Sequence, residues 1–221
     1  MRAVPPPAPP GSLEKPSPSG DGEGHVPEME LAMHFCVVTP TIPGREAKLA
    51  RAIDSVKGQT FKDHVHVVCG DGPSLGSEEV ARQAGATWTC IPKQGAWGWA
   101  CRNHVIENYD AEYFLFLDDD NQLFPDCLAE LYGCAGRDFI LYKIYFNGFG
   151  HENLVLPKTP AIVRSEFDTL NMCISARVAR QVKWRPIYEQ DYHYAIDCMR
   201  VQKRGLVYLD KVLGVHGDPR Q

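Results

Sequence analysis

The sequence lacks the marks of a membrane, nucleic-acid or disulfide-framed protein. No apolar run approaches the ~18–20 residues of a membrane span, so no span is expected. Residues 1–30 also lack the apolar core of a secretory signal, which sets the expectation of a cytoplasmic chain. Charge of one sign is scarce: the formal net charge is −5 over 221 residues. Arg2 and Lys15 against Glu14, Asp21, Glu23, Glu28 and Glu30 put −3 of this in the first 30 residues, leaving −2 for the rest. A near-neutral body has no basic field to gather a polyanion, so nucleic acid is not an expected partner. The 8 cysteines (36, 69, 90, 101, 127, 134, 173 and 198) form neither a CxxC pair nor a Cys/His zinc spacing. They read as buried, reduced thiols.

What is present divides in two. Residues 1–30 hold 8 of the 17 prolines and 4 glycines, with few large apolar side chains. Such a segment cannot bury enough surface to offset its ordering entropy, so residues 1–32 are expected to be a disordered arm. Residues 33–221 are the length of an ordinary domain. There the periodicity alternates between strand and helix. Phe35–Thr39, His64–Cys69, Thr87–Ile91 and Tyr113–Leu117 read as strands, the last wholly apolar and so central. Helices are expected over Arg45–Lys57, Ser77–Ala84, from Gly98 to about Tyr109, and after Pro125, with Leu128, Leu131 and Tyr132 inward. The remainder is less regular: a β-rich stretch (Phe139–Phe146), a loop carrying Pro157 and Pro160, and a strand at Met172–Ser175. A helix follows over Tyr188–Gln202, with Tyr188, Tyr192, Ala195, Ile196 and Met199 on one side, then β structure near Leu206–Val215. The expected fold class is α/β: one Rossmann-like domain with a mostly parallel sheet and a mixed C-terminal half.

Ligands of such sheets bind beyond the carboxyl ends of the strands. Asp118, Asp119, Asp120 and Asn121 directly follow the fourth strand. Adjacent carboxylates repel unless a cation or a donor-rich ligand compensates them. Oxygen ligands suit Mg²⁺ or Mn²⁺, bridged to a substrate phosphate; the plainer reading is a solvated acidic turn. Thr39, Pro40 and Thr41 end the first strand, Asp71 follows the second, and Arg45 and Arg102 open helices. Together they could hold a nucleoside diphosphate, although Asp71 also suits a turn and Thr39 a cap. Trp97 and Trp99 offer aromatic faces or plain packing. Asp168, Asn171 and His151 are candidates for an acceptor pocket or for structural duty.

The run VVTPTIPGREAKLARAIDSVKGQTF, then VHVVCGDGP, GWACRN and YFLFLDDDNQLFPDCLAEL, resembles the nucleotide-sugar half of the GT-A glycosyltransferases of family 2. The resemblance is close over residues 34 to about 132 and looser over 168–216. It implies the GT-A fold, with a nucleotide-sugar-binding half (33–132) and an acceptor-binding half (133–221). It also implies metal-dependent, inverting transfer from a nucleoside-diphosphate sugar, UDP favoured, to a sugar, lipid-linked or small-molecule acceptor. Asp118 and Asp120 match its DxD, Asp71 the carboxylate facing the base, and Arg102 its helix-opening Arg. His216 matches a late metal-ligating His, so Asp118, Asp120 and His216 are the implied Mn²⁺ or Mg²⁺ set. Asp191 matches the general base that deprotonates the acceptor. Gln190 stands where the family has Glu, which leaves Glu189 a rival.

Two other readings compete. Gly72-Pro73-Ser74-Leu75-Gly76 fits G-x-S-x-G, which with an acid and His216 would suit an α/β-hydrolase. No HGGG-type segment precedes it, and the acidic run would have no task. A nucleotide-sugar binder without turnover is the other, since Gln190 could mark a weakened base.

Overall fold

A computed structural model describes residues 33–217; the expected arm (1–32) lies outside the described residues. The chain forms β1 (Met33–Thr41), α1 (Glu46–Lys57), β2 (His64–Asp71), α2 (Leu75–Ala84), β3 (Thr87–Ile91), α3 (Trp99–Asn108), β4 (Ala111–Phe116) and β5 (Gln122–Leu123). It continues with α4 (Cys127–Tyr132), β6 (Phe139–Gly148), β7 (His151–Leu156), β8 (Met172–Ser175), α5 (Ala176–Ala179), α6 (Gln190–Val201) and β9 (Leu206–His216). The strands make one sheet in the order β3-β2-β1-β4-β8-β6-β9-β5, with β7 paired to β6. The first four are parallel neighbours; β8 then pairs antiparallel to both β4 and β6. This is the expected α/β architecture, a mostly parallel sheet with a mixed second half.

Both faces of the sheet are covered, which explains the continuous apolar strands. Along β1 and β4, Cys36, Val38, Phe114 and Phe116 pack with α3, α5 and α6 residues. The alternate residues Phe35, Val37, Tyr113 and Leu115 pack with α1 and α4. Register then sets the site. Val38 lies opposite Phe116 and Thr41 opposite Gly70, so the acidic run emerges beside Thr41 and Asp71. On the other flank β5 pairs with the end of β9, Gln122 opposite Val215, and returns His216 to the same edge.

Several expectations are corrected. His151–Leu156 is a strand, not part of a loop, because it folds back on β6 as an edge hairpin whose polar residues face solvent. Tyr132 does not point into the core: it is half exposed, its ring lying against Phe61. The last helix starts at Gln190, because Glu189 adopts a left-handed backbone (φ 51°). Tyr188 is therefore outside it and exposed, and the buried line is Gln190, Tyr194, Ala195 and Cys198. Tyr194 selects that face by stacking on Trp184, 4.0 Å between ring centres, beneath Phe116. The cysteines are free; Cys90 is exposed and Cys134 half-buried, while the others are buried as expected.

Asp138 ties the second half together. Fully buried, it accepts the Ser175 hydroxyl at 2.8 Å and the backbone N–H groups of Lys203 and Arg204, each at 2.7 Å, and pairs with Arg177. Burial alone would raise its pKa, but these donors and the Arg177 charge hold it below the usual carboxylate value. A depressed folded pKa stabilises above the unfolded value, and that stability is lost as pH falls through the folded one. Asp138→Ala should therefore cost about 3 kcal/mol in urea unfolding at pH 7, since it orphans the buried Ser175 hydroxyl and releases Arg177 and two backbone amides at once. The gap from wild type should narrow below about pH 4. A pH-independent loss under about 1 kcal/mol would show that the carboxylate ties nothing.

Candidate functional site

At the carboxyl edge of the parallel strands lies a cleft of about 530 Å³, walled by Pro40, Thr41, Arg45, Asp71, residues 95–98 and the three aspartates. The aspartates are not equivalent. Asp119 is buried: it accepts the Thr41 hydroxyl at 2.7 Å and pairs with Arg45 at 2.7 Å. Burial pushes its pKa up to about 6 against the pull of Thr41 and Arg45, with Asp120 and Asp118 adding to the rise. Asp120 binds Arg45 at 2.6 Å and Lys48 at 3.4 Å. Burial would raise its pKa too, but the Arg45 charge and hydrogen bond, with Lys48 behind, hold it low. Asp118 pairs with Arg102, which is buried and lies 4.7 Å over the Trp184 ring. The chain's own cations thus neutralise the acidic corner.

Among the described residues no three His, Cys, Asp or Glu groups are gathered around a metal position. The donor chemistry nevertheless fits a hard divalent ion. Arg102 takes Oδ1 of Asp118, and Arg45 and Lys48 take Oδ2 of Asp120, which leaves a second oxygen on each. His216 stacks on Phe146 at 4.5 Å and acts electrostatically on Asp120; its buried Nδ1 has no partner. Its Nε2 lies 3.6 Å from Asp168 Oδ2.

The loop between β3 and α3 forms the opposite wall. Gly95, Ala96, Trp97 and Gly98 all take positive φ (71°, 55°, 60° and 76°), a left-handed run that two non-glycine residues adopt only under constraint. Gly98 must be glycine, because a Cβ there would lie 2.6 Å from that of Pro40. The constraint comes from both ends. Asp71 accepts the amides of Gln94 and Gly95 at 2.5 and 2.7 Å. The Trp97 carbonyl accepts from Arg102 at 2.7 Å and Gln190 at 2.8 Å.

A second cleft of about 270 Å³ adjoins the first, sharing Trp97 and Asp118 and lined by Arg102, Tyr188, Glu189, Gln190 and Asp191. Burial and then the Asp168 charge push the Asp191 carboxyl up to about 6. One Asp191 oxygen accepts the Tyr192 amide at 2.8 Å. Glu189 is paired with exposed Arg164.

Other candidates fall elsewhere. Thr39 is fully buried, its hydroxyl bonded to His66 at 2.8 Å, so it does not line the cleft. Trp99 packs on the core. Asn171 bridges the carbonyls of Tyr142 and Leu156, at 2.9 and 3.0 Å, and His151 is exposed on the outer hairpin. Ser74 caps α2, its oxygen accepting from the Ser77 amide at 3.3 Å with Ser77 and Glu46 side chains around it. His216 is not among its partners, so the hydrolase arrangement does not form. Sequence reasoning missed Lys93, in the wall of the larger cleft; its place two residues beyond β3 was the available signal.

The chain belongs to glycosyl transferase family 2: the family described as "Glycosyl transferase family 2" matches residues 36–205. No curated protein matches it. Solved structures share its fold. Residues 1-349 of S. aureus TarS give a TM-score of 0.69 at 17% identity, covering 84% of this chain and 60% of that one. The same segment in complex with UDP-GlcNAc gives 0.68 at 16%, covering 86% and 60%. The mannosyltransferase PcManGT from Pyrobaculum calidifontis, in complex with GDP-Man and Mn²⁺, gives 0.62 at 14%, covering 85% and 58%. This chain spans 37% of a longer TarS chain.

Asp71→Asn would set an N–H₂ against one of the two loop amides. Losing one such bond costs about 1–3 kcal/mol, so those amides should exchange with solvent deuterium about 10–100-fold faster. Unchanged exchange at Gln94 and Gly95 would mean the loop is held without Asp71.

Proposed function

We propose that this chain moves a sugar from a nucleoside-diphosphate donor, a UDP-sugar favoured, to an acceptor hydroxyl, as a metal-dependent, inverting glycosyltransferase. The observation that carries this reading is the meeting of the two clefts at Asp118 and Trp97, with a carboxylate corner on one side and Asp191 on the other. One chamber suits a donor, the next an acceptor, and the junction is where a bond could be exchanged.

Residues of the first half wall the donor side, and Thr169 with residues 187–191 face them across the acceptor side. Asp71, Pro40 and Thr41 wall the space for the nucleoside, while Arg45 and Lys93 bring positive charge to its phosphates. Asp118, Asp120 and His216 would hold Mn²⁺ or Mg²⁺, which when bound neutralises charge on the departing diphosphate. Arg102 fixes Asp118 and cannot turn away, being buried against the face of the Trp184 ring. Asp191 takes the proton from the acceptor hydroxyl as its oxygen bonds to the anomeric carbon, and the bond from that carbon to the diphosphate oxygen breaks on the opposite face, which inverts the configuration. Glu189 suits this role less, since Arg164 already neutralises it. The predominantly buried, free thiols accord with a cytoplasmic setting; no helix among the described residues is long and apolar enough to cross a membrane.

Asp118→Ala and Asp120→Ala should each abolish Mn²⁺-dependent UDP binding in calorimetry; full retention in either would remove that carboxylate from the metal set. Asp191→Asn should leave UDP binding intact and slow transfer by about 10²–10⁴, the usual size of a general-base contribution. A base is active when deprotonated, and Asp191 sits near 6. kcat/KM should therefore rise with pH through about 6 and level off above it. Loss of activity in Glu189→Gln with none in Asp191→Asn would transfer the role. UDP binding without transfer or hydrolysis of any nucleotide sugar would make the chain a binder.

A further inference from the structure

The smaller cleft carries chemistry that a generic hydroxyl acceptor would not need. Two large aromatic residues stand open at its rim, Trp97 with 66% and Tyr188 with 74% of its surface exposed. Leaving such area in water forgoes the burial that normally places these residues inside. Trp97 is also held there at a cost, in the left-handed run, by hydrogen bonds to its carbonyl from Arg102 and Gln190. Backbone strain maintained by dedicated partners points to a surface that must be presented.

Gln190 adds an independent sign. It is 8% exposed, and with its Nε2 committed to Trp97 its buried Oε1 has no partner. A buried acceptor without a donor is destabilising, so a ligand hydroxyl there is favoured. Asp191, the next residue, has one oxygen left for a second hydroxyl. The cleft has no cation to spare: Arg102 is paired with Asp118 and Arg164 with Glu189, which leaves Asp191 as its one lining carboxylate without a cationic partner. An anionic acceptor would be repelled.

We propose that the acceptor is a neutral sugar ring, seated against Trp97 and Tyr188, with one hydroxyl on Asp191 and a neighbouring hydroxyl on Gln190 Oε1. A pyranose combines these features: apolar C–H faces for aromatic rings and hydroxyls on adjacent carbons. A serine side chain or a glycerol phosphate offers either too few hydroxyls or the wrong charge. Gln190 is then a positioning residue, whose amide holds the Trp97 platform with one end and orients the ring with the other. Glutamate at this position could accept the hydroxyl but not donate to the Trp97 carbonyl, a physical reason for the amide here. This inference rests on the glycosyltransferase reading for the identity of the cleft.

Saturation-transfer NMR on the full chain, with and without UDP and Mn²⁺, tests it. The probes are the methyl pyranosides of glucose, galactose, mannose and N-acetylglucosamine, with a seryl peptide and glycerol 3-phosphate as rival chemistries. At least one pyranoside should receive saturation on its ring C–H protons. Its affinity should fall at least about fivefold in Tyr188→Ala and in Gln190→Met, with UDP affinity unchanged in Tyr188→Ala. Tyr188 is largely exposed, so that variant keeps the test open if Gln190→Met fails to fold. The proposal is overturned if no pyranoside is contacted, if a rival probe is contacted instead, or if Tyr188→Ala binds as wild type. Pyranoside contact without any UDP binding would sink the donor assignment and leave this site standing.

Discussion

Three carboxylates on consecutive residues, at the mouth of a strand buried on both faces, repel one another, and the site depends on how that repulsion is met. Arg45 bridges Asp119 and Asp120, and Arg102 holds Asp118. Arg45 immediately precedes α1, after β1, and Arg102 lies in the first turn of α3, after β3, two strands of the parallel sheet with β2 between them. The compensation is therefore a product of the fold, since only the register of β1 with β4 and the turn into α3 bring the partners together. Arg45 is partly exposed, whereas Arg102 is locked in the core. The corner thus has one fixed, buried cation and one at its solvent side.

The Gly95–Gly98 loop translates this corner into a divided chamber. Asp71 holds one end, Arg102 and Gln190 the other, and Trp97 stands between the two clefts. Arg102 grips both Asp118 and the Trp97 carbonyl, so the acidic corner and the partition share one buried anchor. Gln190 extends the same coupling to α6, next to the proposed base. Asp168 completes the far side: its Oδ1 caps a single helical turn at 2.9 Å from the Leu170 amide, which leaves Oδ2 facing His216.

Much of the parallel half was legible in the sequence, because its signals are local. Apolar runs of strand length, helical spacing of Leu49, Ala52, Ile53 and Val56, and an acidic run straight after Tyr113–Leu117 need no tertiary knowledge. The second half was less so. The hairpin strand His151–Leu156 has a polar, exposed start and owes its conformation to pairing with β6. The buried face of α6 is chosen by Trp184, which lies outside any regular element and carries no periodic signal. Within the site, Asp118, Asp120 and Asp191 could be singled out as residues, but their partners could not. Arg45 reaches Asp120 across 75 positions and Gln190 reaches Trp97 across 93, separations that only strand register and helix placement determine. Thr39 shows the converse: its position at a strand end suggested the cleft, but the pleat turns it toward His66.

The most direct test is anomalous diffraction from crystals grown with UDP and soaked in manganese. The account predicts a manganese peak at the Asp118–Asp120–His216 corner, next to the nucleotide's diphosphate. A nucleotide bound elsewhere, or bound in the cleft with that corner free of manganese, would contradict it.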